Sequence, residues 1–112
     1  MTINEIINAA RPILQDTQQP YRWDDSFIRD MLDDGIVLLN SEVPSTRYVD
    51  GFVRDRVDLP LGHNEEFPVS FRYREALVYY VVSRCYRVDD TDTVNAQLAE
   101  NYYAKAIQRM HM

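Results

Sequence analysis

The sequence predicts an all-α protein, a four-helix bundle with a long, partly extended or β-ribbon-like connection between its second and third helices. Three observations predict it. Apolar residues recur at helical spacing in four stretches, about 3–16, 25–41, 70–88 and 92–110. Capping residues stand at the entrances to these stretches. The segment from Pro44 to Pro68 has no helical period and is interrupted by Gly51, Pro60 and Gly62. A chain of 112 residues with 46% hydrophobic residues is long enough for one domain with its own core.

The first helix opens with Thr2-Ile3-Asn4-Glu5, a capping box, and continues through Ile6, Ile7, Ala10, Ile13 and Leu14 on one face. Pro12 removes a backbone donor inside it, so its last turn is expected to kink or fray before Asp16. The second helix enters through Asp24 or Asp25, with Trp23 folding onto its first turn and Phe27, Ile28, Met31, Leu32, Gly35, Leu38 and Leu39 forming its stripe. It stops near Ser41, because Pro44 biases Val43 away from helical geometry.

From Pro44 to Pro68, the β-prone pairs Tyr48-Val49 and Phe52-Val53, with Val57, suggest one or two short strands. Connections between bundle helices are usually about 2–8 residues, so this longer segment is expected to project as an interaction loop, the least self-sufficient part of the chain. The third helix then carries Phe71, Ala76, Leu77, Tyr80, Val81, Cys85 and Val88 on its face, widened by Tyr79 and Val82. Asp89-Asp90-Thr91-Asp92 makes a turn and cap before the fourth helix, whose apolar side holds Val94, Leu98, Ala99, Tyr102, Ala106, Ile107 and Met110.

Composition excludes several function classes. Twelve basic residues against eighteen acidic ones leave a net charge of −6, unsuited to holding nucleic acid by neutralising phosphates. The single Cys85 excludes a disulfide framework and a four-thiolate zinc site, and neither His63 nor His111 has a second ligand at metal spacing. No metal or other cofactor is expected. The carboxylate pairs Asp24-Asp25, Asp33-Asp34, Glu65-Glu66 and Asp89-Asp90 read as caps and solvated faces, because neighbours on a helix point in different directions. Asp89 to Glu100 mimics a calcium loop in its end positions only, since Val94 stands where that loop turns on glycine. No nucleophile elbow or phosphate-cradling glycine loop occurs, so an enzyme is not expected. The opening residues lack a basic start followed by an apolar core, and no apolar run approaches a membrane span; synthesis in the cytoplasm without membrane insertion is the expectation.

All but one of the basic residues are arginine, which favours planar pairing with carboxylates at protein–protein contacts. In the long loop, Arg47, Arg54 and Arg56 alternate with Tyr48 and Phe52, and Asp50, Asp55 and Asp58 cancel their charge. That mixture suits contact with a neighbouring protein subunit better than single-stranded nucleic acid. Most of the eight tyrosines suit either a core or an interface.

The run Ile6-Ile7-Asn8-Ala9-Ala10-Arg11-Pro12-Ile13-Leu14-Gln15-Asp16, followed by Tyr21-Arg22-Trp23-Asp24-Asp25-Ser26-Phe27-Ile28 and a helix closing at Val43-Pro44, resembles the N-terminal half of tailed-bacteriophage adaptor, or head–tail connector, proteins. Arg74-Glu75-Ala76-Leu77-Val78-Tyr79-Tyr80, with Asp89-Asp90 and then Asn95 to Tyr102-Tyr103, is similar to their C-terminal half. The middle departs from the pattern, because many such proteins carry a longer β-rich insertion after the second helix. The resemblance implies a non-enzymatic virion protein at the neck: a homo-oligomeric ring, commonly twelvefold, that joins the portal protein to the next tail or nozzle protein. Double-stranded DNA would pass through its channel without specific binding, and an acidic lining would repel phosphate. Arg47, Tyr48, Phe52, Arg54 and Arg56 are then the expected subunit contacts, and Arg109, Met110, His111 and Met112 the expected portal-docking end. The alternative is a small helical protein-binding or regulatory module in which the loop grips one partner outside any ring.

Overall fold

The computed structural model describes residues 1–88 and 93–112. The Asp89-Asp90-Thr91-Asp92 turn, and with it the calcium-loop lookalike, therefore falls on or against positions outside the described residues. The described residues are mostly helical, with four α-helices and one small antiparallel sheet: α1 Ile3–Leu14, α2 Asp25–Glu42, β1 Tyr48–Val49, β2 Phe52–Val53, α3 Arg74–Val88 and α4 Thr93–Met110.

Helix α1 begins with the expected Thr2 cap, Thr2 Oγ1 accepting from the Glu5 amide at 3.2 Å. Its buried stripe is Ile3, Ile6, Ile7, Ala10 and Leu14. Pro12 faces solvent and so does Asn8, whose carbonyl loses its helical donor, so water can replace the missing bond. The helix ends two residues before the expected Asp16. Gln15 takes a left-handed conformation (φ 57°), and the Asp16 amide turns back to donate to the Arg11 carbonyl at 3.0 Å.

That reversal delivers Asp16 to a buried ion pair. Arg11 Nη1 donates to Asp16 Oδ2 at 2.9 Å and to the Trp23 carbonyl at 3.0 Å, while Nη2 donates to Asp25 Oδ1 at 2.5 Å. Asp16 also accepts from the Arg22 and Trp23 amides at 2.8 and 3.1 Å. The Tyr21 ring covers the guanidinium, with its centroid 3.6 Å from Cζ. Trp23 is buried edge-on against Tyr86 of α3, with ring centroids 6.4 Å apart, and the Tyr86 hydroxyl donates to the Ile13 carbonyl at 3.4 Å. The end of α1, the start of α2 and the end of α3 thus share one knot of contacts.

Asp24 is the cap of α2, accepting from the Phe27 amide at 2.8 Å. Ile28, Leu32, Gly35, Ile36 and Leu39 are buried; Ile36 joins the expected stripe, while Phe27, Met31 and Leu38 pack at its margin. A Cβ at Gly35 would stand 2.8 Å from the Tyr80 ring, so glycine lets α3 approach. The Tyr80 hydroxyl in turn accepts from Arg84 at 2.7 Å, which holds the ring in place.

Helix α3 packs against α1, α2 and α4. It is preceded by a 3-10 turn, Phe71–Tyr73, and this tighter winding changes the expected face. Tyr73 turns inward and Phe71 is 68% exposed. Val88 also points to solvent instead of joining the core, as does Val94 on α4. Helix α4 meets α3 through Ala99 and Ala106, small residues that permit close approach, and Met110 seals its end.

The 44–68 segment divides in two. A 3-10 turn, Pro44–Arg47, leads into a hairpin in which Tyr48 pairs with Val53 and Val49 with Phe52. Asp50 and Gly51 both have positive φ (51° and 84°), as a two-residue type I′ turn demands. The chain after the hairpin does not project as expected. Val57 and Phe67 are buried in the core, and the Val57 amide donates to Asn40 Oδ1 at 3.0 Å. Asn40 Nδ2 donates to Thr46 Oγ1 at 2.8 Å, so one buried α2 side chain holds both sides of the segment. Arg29 donates to the Pro60 carbonyl at 2.9 Å, and the Asn4 and Phe67 amides donate to the His63 and Met1 carbonyls, each at 3.0 Å. The projecting part is therefore only the hairpin, because the returning chain fills a gap beside α1 and α2.

Two stability outcomes follow from this packing. Arg11→Ala leaves Asp16 buried without its countercharge and should cost about 3–5 kcal/mol in urea unfolding. Gly35→Ala gains about 1 kcal/mol of helix propensity but forces the Tyr80 ring aside at a cost of about 1–3 kcal/mol. Net destabilisation is the expected result, and a higher urea midpoint would show that the ring yields freely.

Candidate interaction surfaces

The hairpin gathers the expected contact residues unequally. Tyr48 and Phe52 are 61% and 69% exposed, and Val53 is equally open. Cross-strand partners share a face, so Tyr48 lies beside Val53 and Phe52 beside Val49. Val49 alone is buried and anchors the ribbon. The Arg54 amide donates to the Arg47 carbonyl at 2.9 Å and closes the hairpin base. Neither Arg47 nor Arg54 makes an ion pair among the described residues.

Arg56 is drawn elsewhere. Its Nη2 pairs with Asp33 on α2, and its Nε stands 3.3 Å from Asp58. It serves to fasten the returning chain to α2, which removes it from the exposed tip. Val53 belongs with the tip instead; its cross-strand pairing with Tyr48 across the Asp50-Gly51 turn was the sequence signal for it.

Two grooves flank the ribbon. One, of about 610 Å³, is lined by Val49, Arg54, Asp55, Val57, Asp58 and Pro68. The other, of about 340 Å³, runs between Tyr48 and the Ser70–Tyr73 turn and also touches Pro68. A third cleft of about 340 Å³ lies away from the ribbon, between Arg22, Trp23, Asp24, Phe27 and Val88. These are open surface hollows with mixed polar and apolar walls.

The C-terminal residues are tied to their own chain. Arg109 Nη2 lies 3.5 Å from Glu75, His111 Nε2 lies 2.9 Å from Glu42, and Arg72 donates to the Met112 carbonyl. Met110 is 2% exposed and belongs to the core, because α4 continues to it and turns it under α2 and α3. Met110 is thereby removed from the expected docking set, while Met112 remains exposed.

The carboxylate pairs split as helical geometry requires. Asp24 caps α2 while Asp25 meets Arg11, and Asp33 meets Arg56 while Asp34 lies 3.3 Å from Arg84. Glu66 pairs with the Met1 amine. Among the described residues, no group of three or more His, Cys, Asp or Glu side chains is placed to hold a metal ion. Among the described residues, no helix is long and apolar enough to cross a membrane.

Cys85 is fully buried near Asp16, and burial, with the Asp16 charge adding to it, pushes its thiol up to about 12. The tyrosines form a seam along α3 and α4: Trp23, Tyr86, Tyr102 and Tyr79 follow one another at 6.4, 6.1 and 5.7 Å between ring centroids. Lys105 sits over Tyr102 at 5.0 Å, and the Tyr79 hydroxyl donates to Glu75 at 2.9 Å, which raises its pKa. This seam is packing between helices.

No protein-family model, curated protein or solved structure matches the chain.

The buried thiol gives a direct test of this geometry. At pH 8 the folded protein should leave Cys85 unlabelled by a disulfide reagent, with full reaction only in denaturant; rapid native labelling would contradict its burial. Below pH 9.0, the ordinary thiol value, Cys85 is neutral in both folded and unfolded chains. From there to about 12 only the unfolded thiol ionises, so its contribution to stability is lost across that window and a Cys85→Ala variant should lose less.

Proposed function

We propose that this protein is a four-helix adaptor subunit of a tailed-bacteriophage neck, assembling into a ring that joins portal to tail. The observation that carries the reading is the ribbon: a folded, projecting hairpin that exposes Tyr48 and Val53 on one face and Phe52 on the other, beside Arg54, which makes no ion pair among the described residues. Aromatic residues and arginine are the residue types enriched at protein contacts, and clusters of exposed apolar side chains mark such sites. Together with the N-terminal and C-terminal runs that resemble head–tail connectors, it supports a structural role in which Arg47, Tyr48, Phe52 and Arg54 contact the next subunit.

The net charge of −6 fits a ring around DNA, since it opposes adhesion of the duplex to the channel wall. Portal docking falls to the end formed by half-buried Arg109 with exposed His111 and Met112. A second reading, a helical protein-binding module outside any ring, is favoured by the tethering of that end to Glu75, Glu42 and Arg72. Such tethering holds these residues against their own chain and away from a partner.

Co-expression with the portal protein of the same phage, followed by negative-stain electron microscopy, distinguishes them. The adaptor reading expects rings seated on portal assemblies. Bare portals beside free monomers would overturn it.

A further inference from the structure

Residues 47–56 leave the body of the protein and return to it, and both roots of that excursion are tied to one side chain. Asn40 Nδ2 donates to Thr46 Oγ1 at 2.8 Å just before it, and the Val57 amide donates to Asn40 Oδ1 at 3.0 Å just after it. Thr46 Oγ1 commits its own hydrogen to the Val43 carbonyl at 2.7 Å, so toward Asn40 it can only accept. The Val57 amide can only donate. The two roots therefore demand a donor and an acceptor from the same position, and an amide supplies one of each in a fixed fork. Asn40 stands beside Ile36 and Leu39 on the buried stripe of α2 and is 4% exposed, a setting that disfavours an amide unless both its arms are bonded.

The other ties on the ribbon do not set its direction. Val49 is buried beneath it, but apolar burial is non-directional. Arg56 pairs with Asp33, yet the two side chains are 39% and 37% exposed, and ion pairs so placed contribute little. The enclosed Nε atoms of Arg47 and Arg56 find no hydrogen-bond acceptor, the second standing 3.3 Å from Asp58 without the alignment for one. A hollow of about 230 Å³, lined by Val37, Asn40, Ser41, Arg47, Asp55 and Arg56, leaves the roots room to shift against α2.

We infer that Asn40 is the positioning residue of the ribbon. Through Thr46 and Val57 it sets the angle at which Tyr48, Phe52 and Val53 are presented, and so whether one copy meets the next in the orientation a ring needs; the link to assembly rests on the ring reading above. Head-to-tail contacts close into a ring only at one rotation between neighbours. An arm free to point several ways gives open or mixed assemblies instead.

Two variants of the full chain test this. Asn40→Ala removes both arms, and Thr46→Val keeps the shape of a half-buried side chain outside the four helices and removes only its hydroxyl. In the free protein, the Arg54 and Val57 amides should lose hydrogen-exchange protection roughly tenfold in each, the effect of about one hydrogen bond, while α1 and α3 keep theirs. The double variant should be no worse than Asn40→Ala, because both changes break one linked network. Spin labels on Val53→Cys and Glu100→Cys, both exposed sites in a chain whose own Cys85 is buried, should give one narrow distance that broadens in either variant. Mixed with the portal protein, both variants should lose the closed rings formed by the natural chain.

Protection lost evenly along the helices, or a distance that stays narrow in both variants, would make Asn40 a packing residue only and overturn the inference. Closed rings from a chain whose ribbon distance has broadened would overturn the link to assembly and leave the adaptor reading intact. Absence of rings from the natural chain would remove the adaptor reading and that link together, while the distance measurement still decides whether Asn40 directs the ribbon.

Discussion

The buried pairing of Arg11 with Asp16 is the constraint from which the rest of this fold takes its direction. A carboxylate and a guanidinium taken out of water cost several kcal/mol each unless every polar atom finds a partner. Here the partners come from one short stretch: two amides and a carbonyl of Arg22 and Trp23, and the Asp25 carboxylate. Meeting those demands allows a single path from α1 to α2. The pair thus contributes specificity more than net stability, and it sets where α2 starts and which way it runs. Everything at the far end of α2, including the hairpin, inherits that orientation.

Arginine enrichment acquires a different meaning in this light. Arg11, Arg56 and Arg84 make their bidentate or fork-like contacts inside the chain, with Asp16 and Asp25, with Asp33 and Asp58, and with Asp34 and Tyr80. A small domain with several exposed acids gains internal fasteners this way. Arg47 and Arg54, in the hairpin base, make no such pair among the described residues and are left for the external role that composition suggests for the whole set.

Local chemistry was legible in the sequence and long-range chemistry was not. Thr2 and Asp24 act as caps because a side-chain oxygen reaches an amide three residues ahead, a relation the sequence itself contains. The strands were legible as β-prone pairs, and the Asp50-Gly51 dipeptide between them specifies their turn. Phe71 and Tyr73 exchange places because a 3-10 turn precedes α3 and shifts the register by a fraction of a turn, which a 3.6-residue period does not register. Val57 and Phe67 enter the core through partners 17 or more positions away, such as Asn40 for Val57 and Met1 for Phe67. No spacing rule within one segment encodes such a partner. Of the contact residues, Tyr48 and Phe52 stand where hydrophobicity in a loop suggests, while Arg56 is diverted by Asp33, a neighbour from another element.

The Asp50-Gly51 turn has a thermodynamic consequence for any association the hairpin enters. A loop that becomes ordered only on contact pays its lost backbone freedom out of the binding energy, about 1–2 kcal/mol for each residue fixed. With both central residues in the left-handed region, and the base closed between Arg47 and Arg54, the tip is preorganised in its paired form. Burial of Phe52 or Tyr48 then has less ordering cost to offset, which favours a small contact patch in an assembly where each copy makes it repeatedly.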